Sequence, residues 1–271
     1  MSSAPLGSDP DPLAPGTILG RMGPLELRLA RGDEDIAAAQ RLRHRVFVAE
    51  GGAAPRGPTA DHRERDRFDA ACDHLVVAHG EEIVGTYRLM LAARAGRTGH
   101  YSQGEFDVAA LIARHPARRF LELGRSCVHP EWRESRAIRL LWQGAWAYAL
   151  RSGADVMFGC ASFFGIDPAP HAPAFAYLAR HAAAPPPWDV APAPGRHFIA
   201  LDAGSHAPDR AEGLRYLPAL LRGYVRLGGR VASRAVIDPD FGSIDAMVVL
   251  PREWIDPRYR RHFGEAADRY V

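Results

Sequence analysis

FLELGRSCVHPEWRESRAIRLLWQGAWAYALRSGADVMFGCASFF, residues 120–164, is the stretch that decides the fold. It begins with an apolar, β-compatible run, 120–128. Apolar residues then recur at helical spacing over 138–149, and Gly153 ends that helix. A second short apolar run follows at 156–158. The segment therefore predicts a strand, helix, strand unit with a right-handed crossover.

Two local signals place a chemical site where the first strand meets the helix. Gly124 interrupts the strand pattern, and a glycine there indicates a bulge or a close approach of another backbone. Ser135 is a candidate N-cap of the helix. A helix that begins there directs free backbone N–H groups toward whatever binds beside the Arg-rich loop.

Composition excludes several classes of protein. With 271 residues and 47% hydrophobic content, the chain can bury a sizeable core, and one domain is favoured. The net charge of +2 gives no argument for a nucleic-acid partner. Cys72, Cys127 and Cys160 lack metal-ligand spacing and no signal peptide is evident, so a cytoplasmic location fits best, with no disulfide and no metal. The apolar runs are too short to span a bilayer, so any contact with the cytoplasmic face of the membrane would be peripheral.

The rest of the chain supplies further strands and helices around this unit. Residues 1–20 are rich in Pro, Gly, Ser and Asp and are predicted to be disordered, and residues 21–271 to form one domain. Strands are predicted at 25–29, 74–78, 83–91, 198–201 and 246–250. Helices are predicted at 33–48 and 174–184, a short helix is predicted within 103–114, and 214–227 is either a helix or a loop. The Pro-rich segment 185–195 is interpreted as a loop within the domain.

Charged residues inside strand-like runs are the most informative polar set. Arg88 lies in GTYRLM, and Glu122 and Arg125 lie in LELGRSCV. Because buried charges need partners, we expect Asp66 or Asp69 to pair with Arg88, and Glu122 with Arg125, in one network. Such a network either holds strands together or forms a site. The second interpretation is favoured because these residues adjoin the Arg-rich loop.

The stretch VHPEWRESRAIRLL, residues 128–141, resembles the acyl-donor loop of the GCN5-related N-acyltransferases. In that superfamily a strand ending in V-x-P-x-Y/W-R leads into a loop and helix that cradle a pantetheine pyrophosphate. The resemblance implies an α/β fold with a mixed central sheet flanked by helices. The usual loop there is R/Q-x-x-G-x-G/A, whereas residues 133–138 contain no glycine, so this backbone is less free to wrap a diphosphate.

A closer resemblance, to the ornithine-acyl carrier protein N-acyltransferases, covers residues 25–250. It is carried, in order, by RxxVFxxE (43–50), CDHLVV (72–77), GTYRLM (85–90), LELGRSCV (121–128), LLWQGAWAYA (140–149), DVMFGCASF (155–163), LPALLRGYVRLGG (217–229) and IDPDFGSID (237–245). The resemblance implies transfer of a 3-hydroxyacyl chain from acyl carrier protein to the α-amine of L-ornithine, giving lyso-ornithine lipid. The donor would be the carrier's phosphopantetheine arm, with no permanently bound cofactor. Residues 21–271 would be an acyltransferase domain with a C-terminal extension.

The chain is also distantly similar to acyl-homoserine lactone synthases, which use acyl carrier protein too. The matching elements are Val46-Phe47, Asp66 and Asp69, Arg88-Leu89, and Glu122 with Arg125. A carrier-protein thioester has no CoA diphosphate, which suits a loop without glycines.

Roles for the matching residues follow from the chemistry of thioester aminolysis. Glu122 is the candidate base, directly or through a water, because a carboxylate in an apolar strand can have a raised pKa. The alternative is a static salt bridge from Glu122 to Arg125 or Arg88. Asp66 and Asp69 would bind the side-chain ammonium of ornithine, or merely cap the surface. Arg88 or Arg125 would bind its carboxylate.

The donor site is expected at the end of the strand and the start of the helix. Backbone N–H groups around Cys127 and Val128 would hold the thioester oxygen and the pantetheine amides. The helix start would contribute Arg133, Arg136, Ala137, Ile138 and Arg139. The arginines would meet the pantetheine phosphate and an acidic carrier surface, or form an ordinary solvated face. The cysteines are interpreted as packing rather than as nucleophiles.

Three alternatives stay open on the sequence. The acceptor could be another amine, such as glycine, lysine or glutamine. The chain could be an autoinducer-type synthase. It could also be a non-catalytic module that docks carrier protein or the membrane surface through its arginines.

Overall fold

The structure, a computed structural model, describes residues 13–54, 60–133, 136–202 and 208–257. Its strands are β1 Ile18–Met22, β2 Leu25–Leu29, β3 Asp73–His79, β4 Glu82–Leu91, β5 Phe120–Val128, β6 Val156–Phe164, β7 Phe198–Ala200, β8 Arg230–Asp238 and β9 Ser243–Pro251. Its helices are α1 Asp33–Arg43, α2 Ala92–Ala95, α3 Val108–Arg114, α4 Ala137–Arg151, α5 Ala172–His181, α6 Arg210–Gly213 and α7 Ala219–Leu227. A π-helical segment, His44–Glu50, continues α1.

The predicted strand, helix, strand unit is confirmed as β5, α4 and β6. The two strands pair in parallel, as a helical crossover requires. Gly153, with φ +67°, follows the last turn of α4 in the left-handed conformation that ends helices. β6 runs through Gly159 to Phe164, beyond the predicted end. The predicted N-cap, Ser135, lies outside the described residues.

All nine strands form one sheet in the order β1-β2-β3-β4-β5-β6-β9-β8-β7. Every neighbouring pair is antiparallel except β5 and β6. The mixed α/β sheet that the resemblance implied is therefore present. The parallel pairing covers only three positions and ends where Glu122 meets Phe158. Beyond it the strands diverge, and we call this gap between β5 and β6 the fork.

Helices cover both faces of the sheet. Successive side chains of a strand point to opposite faces, and the strands carry apolar side chains on both. On one face, α4 packs on β2 to β5 through residues such as Leu75, Leu140 and Tyr148, and this core continues to α5 and α7. On the opposite face, α1 covers Val76. Farther along that face, α3 and the Pro-rich segment cover β6, β8 and β9, and Val190 of that segment is buried there.

The bulge signalled by Gly124 lies one residue later. Gly124 pairs with Arg88 and Cys127 with Thr86, so two residues of β5 stand opposite one residue of β4. The left-handed backbone belongs to Arg125, whose φ is +55°. Of the two alternatives predicted for Gly124, the bulge is therefore confirmed, and nothing lies within 4 Å of a Cβ built on Gly124.

Other boundaries also differ from the prediction. Part of the segment predicted to be disordered contains β1, which starts at Ile18, while residues 1–12 lie outside the described part of the chain. The short helix predicted within 103–114 is confirmed as α3, and a 3₁₀ turn, Tyr101–Gly104, precedes it. The ambiguous stretch 214–227 is a 3₁₀ turn and then α7. No strand was predicted for β8.

Candidate active site

A cavity of about 630 Å³ opens at the fork. One wall is the edge of β5 from Leu123 to Val128, where β5 no longer pairs with β6. The facing wall comes from β6. Apolar side chains from other elements close the space, among them Phe47, Leu141 and Trp142. The cavity therefore combines an unpaired strand edge with an apolar lining.

Six charged residues, three of them buried and three partly buried, lie on the α1 face beside the fork, and we call them the arginine network. Its members are Arg43, Glu64, Asp66, Asp69, Arg88 and Arg125. Arg43 binds Asp69 (Nη2 to Oδ2, 2.8 Å) and Glu64 (Nε to Oε2, 2.7 Å). Three carboxylates meet three guanidinium groups, so the charges within the network balance.

The predicted pairing of Arg88 with the aspartates is confirmed. Arg88 Nη1 lies 2.6 Å from Asp66 Oδ1 and 3.0 Å from Asp69 Oδ1. Burial alone would raise the pKa of Asp69, but the hydrogen bonds and charge of Arg43 hold it well below the usual range. Neither aspartate lines the cavity, nor does Arg88. These three residues are thus engaged with each other rather than aimed at the space where an acceptor would bind.

Glu122 does not pair with Arg125, in contrast to the prediction, because its carboxylate is turned to the backbone. Oε2 accepts from the N–H of Tyr101 at 2.9 Å, and Oε1 accepts from the N–H of Ser102 at 2.7 Å. Glu122 is buried and is not part of the cavity lining, whereas Tyr101 and Ser102 are. Its side chain therefore positions one wall of the cavity.

Arg125 does line the cavity, and its partner in the network is Glu64, at 3.1 Å from Nη2 to Oε1. The guanidinium carbon lies 4.3 Å from the ring centre of Tyr101 and 5.1 Å from that of Phe241. Glu64 stands within the charge run 61–73, and sequence reasoning missed it because such runs are usually solvated. Its burial on the α1 face is a tertiary effect.

The predicted donor residues divide into two groups. Cys127, Val128, Arg133 and Ile138 line the cavity, and Arg133 Nη2 pairs with Glu50 Oε2 at 2.7 Å. Ala137 is buried at the start of α4 and is not part of the lining, and Arg136 and Arg139 are exposed.

Three buried carboxyl groups that sequence reasoning did not assign form a second charged feature, which we call the acidic cluster: Glu105, Asp238 and Asp245. One carboxylate oxygen from each lies within 4.8 Å of the others. Burial, followed by the charge of Asp245, raises the pKa of Glu105 well above its usual range, and burial likewise raises the pKa of Asp245. Glu105 and Asp245 line the cavity.

The acidic cluster had little signal in the sequence. Glu105 is a lone glutamate in the turn before α3, and Asp238 and Asp245 were noted only as part of the motif IDPDFGSID. They meet because β8 and β9 place two of them beside the loop that carries the third.

Comparison with known proteins identifies the family. A family model described as an acetyltransferase (GNAT) domain matches residues 42–143. L-ornithine N(alpha)-acyltransferase of Brucella abortus (strain 2308) is 46% identical over 263 residues, which cover 94% of each chain. This chain belongs to the L-ornithine N(α)-acyltransferase family. The namesake from Agrobacterium fabrum (strain C58 / ATCC 33970) is 43% identical over 261 residues, 93% of this chain and 89% of that protein.

A solved structure shares the fold of this family member. The N-acyl amino acid synthase FeeM from uncultured soil microbes superposes with a TM-score of 0.52 over 87% of this chain and 94% of its own, at 13% identity. This member of the family is therefore an N-acyltransferase built on the GNAT fold. Within the described ranges, no helix combines the length and apolar character needed to cross a membrane.

The three cysteines of this family member are free thiols. Burial raises the pKa of the Cys127 thiol to about 12 and that of Cys160 well above its usual range. Both thiols line the cavity, and both stay protonated at neutral pH. Neither cysteine therefore supplies the thiolate that a nucleophilic role requires.

Proposed function

We propose that this chain transfers a 3-hydroxyacyl group from acyl carrier protein to the α-amine of L-ornithine and so produces lyso-ornithine lipid. The observation that carries the proposal is the cavity at the fork, where an unpaired strand edge, an apolar lining and buried carboxyl groups share one space. A pantetheine thioester needs the first two features and a diamino acid needs the third. Both relatives carry ornithine in their names as the acceptor.

The α-amine nitrogen attacks the thioester carbonyl carbon, a C–N bond forms, and the C–S bond breaks. Of the protons that the ammonium loses, one ends on the departing thiol and one is released to water. The carbonyl oxygen gains negative charge during attack, and backbone N–H donors along the unpaired edge of β5 stabilise it. Cys127 and Val128 lie on that edge.

The donor is the phosphopantetheine arm of acyl carrier protein. An extended arm can lie against the edge of β5 as an added strand would, because that edge has no neighbouring strand past Glu122. The apolar lining takes the acyl chain. Arg133 at the cavity, with the exposed Arg136 and Arg139, supplies charge for the phosphate and for an acidic carrier surface.

The acceptor's carboxylate is assigned to Arg125, the member of the arginine network that lines the cavity. Asp66, Asp69 and Arg88 support Arg125 from behind and do not touch the acceptor. Glu122 acts as a positioning residue, because it holds the turn that carries Tyr101 and Ser102.

Purified protein incubated with 3-hydroxyacyl carrier protein and L-ornithine should release carrier thiol and form one amide product of the expected mass. Thiol release is followed colorimetrically and the product by mass spectrometry. The matched control is the CoA thioester of the same acyl chain, which should be a poor donor. Absence of thiol release would refute the reaction, and equal use of both thioesters would refute the carrier-protein donor. A panel of glycine, lysine and glutamine tests the acceptor.

We further propose peripheral contact with the cytoplasmic face of the membrane, where an acylated product would be delivered. Phe164 lines the cavity, yet 78% of its surface is exposed, and Ile166 two residues later is 50% exposed. Replacing Phe164 by Ser should reduce co-sedimentation with phosphatidylglycerol vesicles. An unchanged bound fraction would argue against this surface.

A further inference from the structure

The acidic cluster is built into the wall of the cavity by three separate elements. Asp245 lies on β9, opposite Ser162 of β6 and Val236 of β8. Asp238 ends β8, and its Oδ1 accepts from the N–H of Asp240 at 3.0 Å. All three members of the cluster are less than 5% exposed. Burial of a carboxyl group is costly unless hydrogen bonds or opposite charges compensate for it.

The acidic cluster contrasts with the arginine network in its charge. Each carboxylate of the network has a guanidinium partner. Among the described residues, Glu105 and Asp245 form no ion pair with any arginine. The hydroxyl of Ser243 donates to Asp245 Oδ1 at 3.2 Å, and Ser162 and Glu105 also hydrogen-bond this carboxyl group, but none of these three partners carries a positive charge.

Glu105 supplies an independent sign of a missing ligand. Its Oε2 is buried and has no hydrogen-bond partner, although the backbone around it is well held. The N–H of Glu105 donates to Ser102 O at 3.0 Å, and its own carbonyl accepts from Ala193 N at 2.8 Å. The side chain is thus fixed in a place where one of its acceptors is empty, and that place faces the cavity.

We propose that Glu105 and Asp245, backed by Asp238, bind the side-chain ammonium of a diamino acid acceptor and thereby select it over amino acids with uncharged side chains. This inference rests on the proposed function and deepens it by assigning acceptor recognition to these residues instead of Asp66 and Asp69. An ammonium donates up to three hydrogen bonds, which matches a set of converging carboxylate oxygens. Arg125 lines the same cavity from β5, so the acceptor's carboxylate and its side-chain cation are assigned to different groups of one site.

The raised pKa of Glu105 follows from its burial and from the groups around it. Asp245, Asp238 and the Cys160 thiol surround its carboxyl group, and none of them contributes positive charge. Arrival of an ammonium would favour the ionised form of Glu105 and release its proton.

Acceptor selectivity tests the assignment. The probe is L-norvaline, which has the same carbon chain as ornithine but lacks the terminal ammonium. The wild type should prefer ornithine in kcat/KM by about 100-fold or more, because a buried charged site is left unpaired by the neutral analogue. Glu105→Gln and Asp245→Asn should each lose most of that preference. The value of kcat/KM for ornithine should fall, whereas that for norvaline should be retained or increased. Asp240→Asn removes an exposed carboxylate from the adjacent turn and should keep the wild-type preference.

The outcomes separate this inference from the proposed function. If the wild type acylates neither ornithine nor any other amine, the proposed function fails. If it acylates ornithine but both variants keep the wild-type preference, or lose both acceptors equally, the acceptor role of the acidic cluster is refuted. The cluster could instead hold a divalent cation. Loss of wild-type activity in EDTA with recovery on adding Mg²⁺, Mn²⁺ or Ca²⁺, together with loss of metal binding in Asp245→Asn, would overturn the ammonium assignment.

Discussion

Glu122 has both carboxylate oxygens bound by backbone N–H groups, and this determines what its replacement should do. In Glu122→Gln one oxygen acceptor becomes an NH₂ donor that faces another donor, so a buried N–H loses its partner. We expect a loss of about 1–3 kcal/mol in the free energy of unfolding, measured by urea denaturation. Turnover should fall because Tyr101 and Ser102 shift in the cavity wall.

The pH profile of kcat/KM distinguishes positioning from proton transfer at Glu122. If Glu122 positions the wall, the acidic limb of the profile persists in Glu122→Gln at reduced height. Disappearance of that limb would show that Glu122 is the base. Glu82→Gln, an exposed glutamate of β4, is the matched control and should leave both stability and profile unchanged.

Glu105 should show the opposite relation between charge and stability. Its pKa is raised in the folded protein, so its contribution to stability is fully present below the unfolded value of about 4.3 and is lost as the pH rises through the folded value. Gln carries no charge and escapes that loss. At pH 8 the free energy of unfolding of Glu105→Gln, measured by urea denaturation, should therefore exceed that of the wild type by about 1 kcal/mol or more. The difference should shrink toward pH 4. If Glu105→Gln is less stable than the wild type at pH 8, ionisation of Glu105 does not destabilise the folded protein.

At the scale of elements, the fork depends on how closely β5 and β6 approach at its base. A Cβ on Gly159 would lie 2.1 Å from the carbonyl oxygen of Leu123, so the backbone of one of the two strands would have to move. Gly159→Ala should lower stability by about 2–3 kcal/mol in thermal or urea unfolding. Gly124→Ala, with nothing within 4 Å of the new methyl group, should be nearly neutral for stability. Equal stability of the two variants would mean that the strands are not fixed at this contact.

The elements that the sequence predicted are those with local patterns. Helical spacing in 138–149 and the apolar runs on either side were sufficient for β5, α4 and β6. β8 was missed because Arg230, Ser233 and Arg234 interrupt its apolar alternation, and the strand is fixed by its neighbours β7 and β9. The bulge could be located only to within a residue, because the left-handed conformation belongs to Arg125 and not to the adjacent glycine.

Across the whole molecule, the two charged features show why the site was only partly predictable. The pairing of Arg88 with Asp66 and Asp69 followed from the rule that buried charges need partners. The rule does not choose between partners. Arg125 pairs with Glu64 and not with Glu122, because Glu64 lies beside Arg43 of α1 and the Glu122 carboxylate is bound by the N–H groups of Tyr101 and Ser102. The acidic cluster joins Glu105 to Asp245 across 140 positions of sequence, a meeting that no local spacing records.

The proposed recognition of acyl carrier protein also belongs to the scale of the whole molecule, because it would depend on surface charge and not on one contact. Arg136 and Arg139 are exposed at the start of α4, beside the cavity that holds Arg133. Replacing both by Glu should raise KM for acyl carrier protein about 10-fold or more at low salt, with little effect on a short acyl-pantetheine donor that has no carrier. The wild-type KM should rise with ionic strength, and that of the double variant should change less.

The control is Arg97→Glu, which reverses one charge, against two in the paired replacement, at an exposed position away from the lining of the cavity. It should leave KM for both donors near the wild-type value, since a local docking surface and not the net charge of the protein is being tested. If Arg97→Glu raises KM as much as the paired replacement, attraction of the carrier is a general charge effect. If the paired replacement raises KM equally for the carrier-free donor, these arginines act on the pantetheine arm, and the carrier docks elsewhere on the molecule.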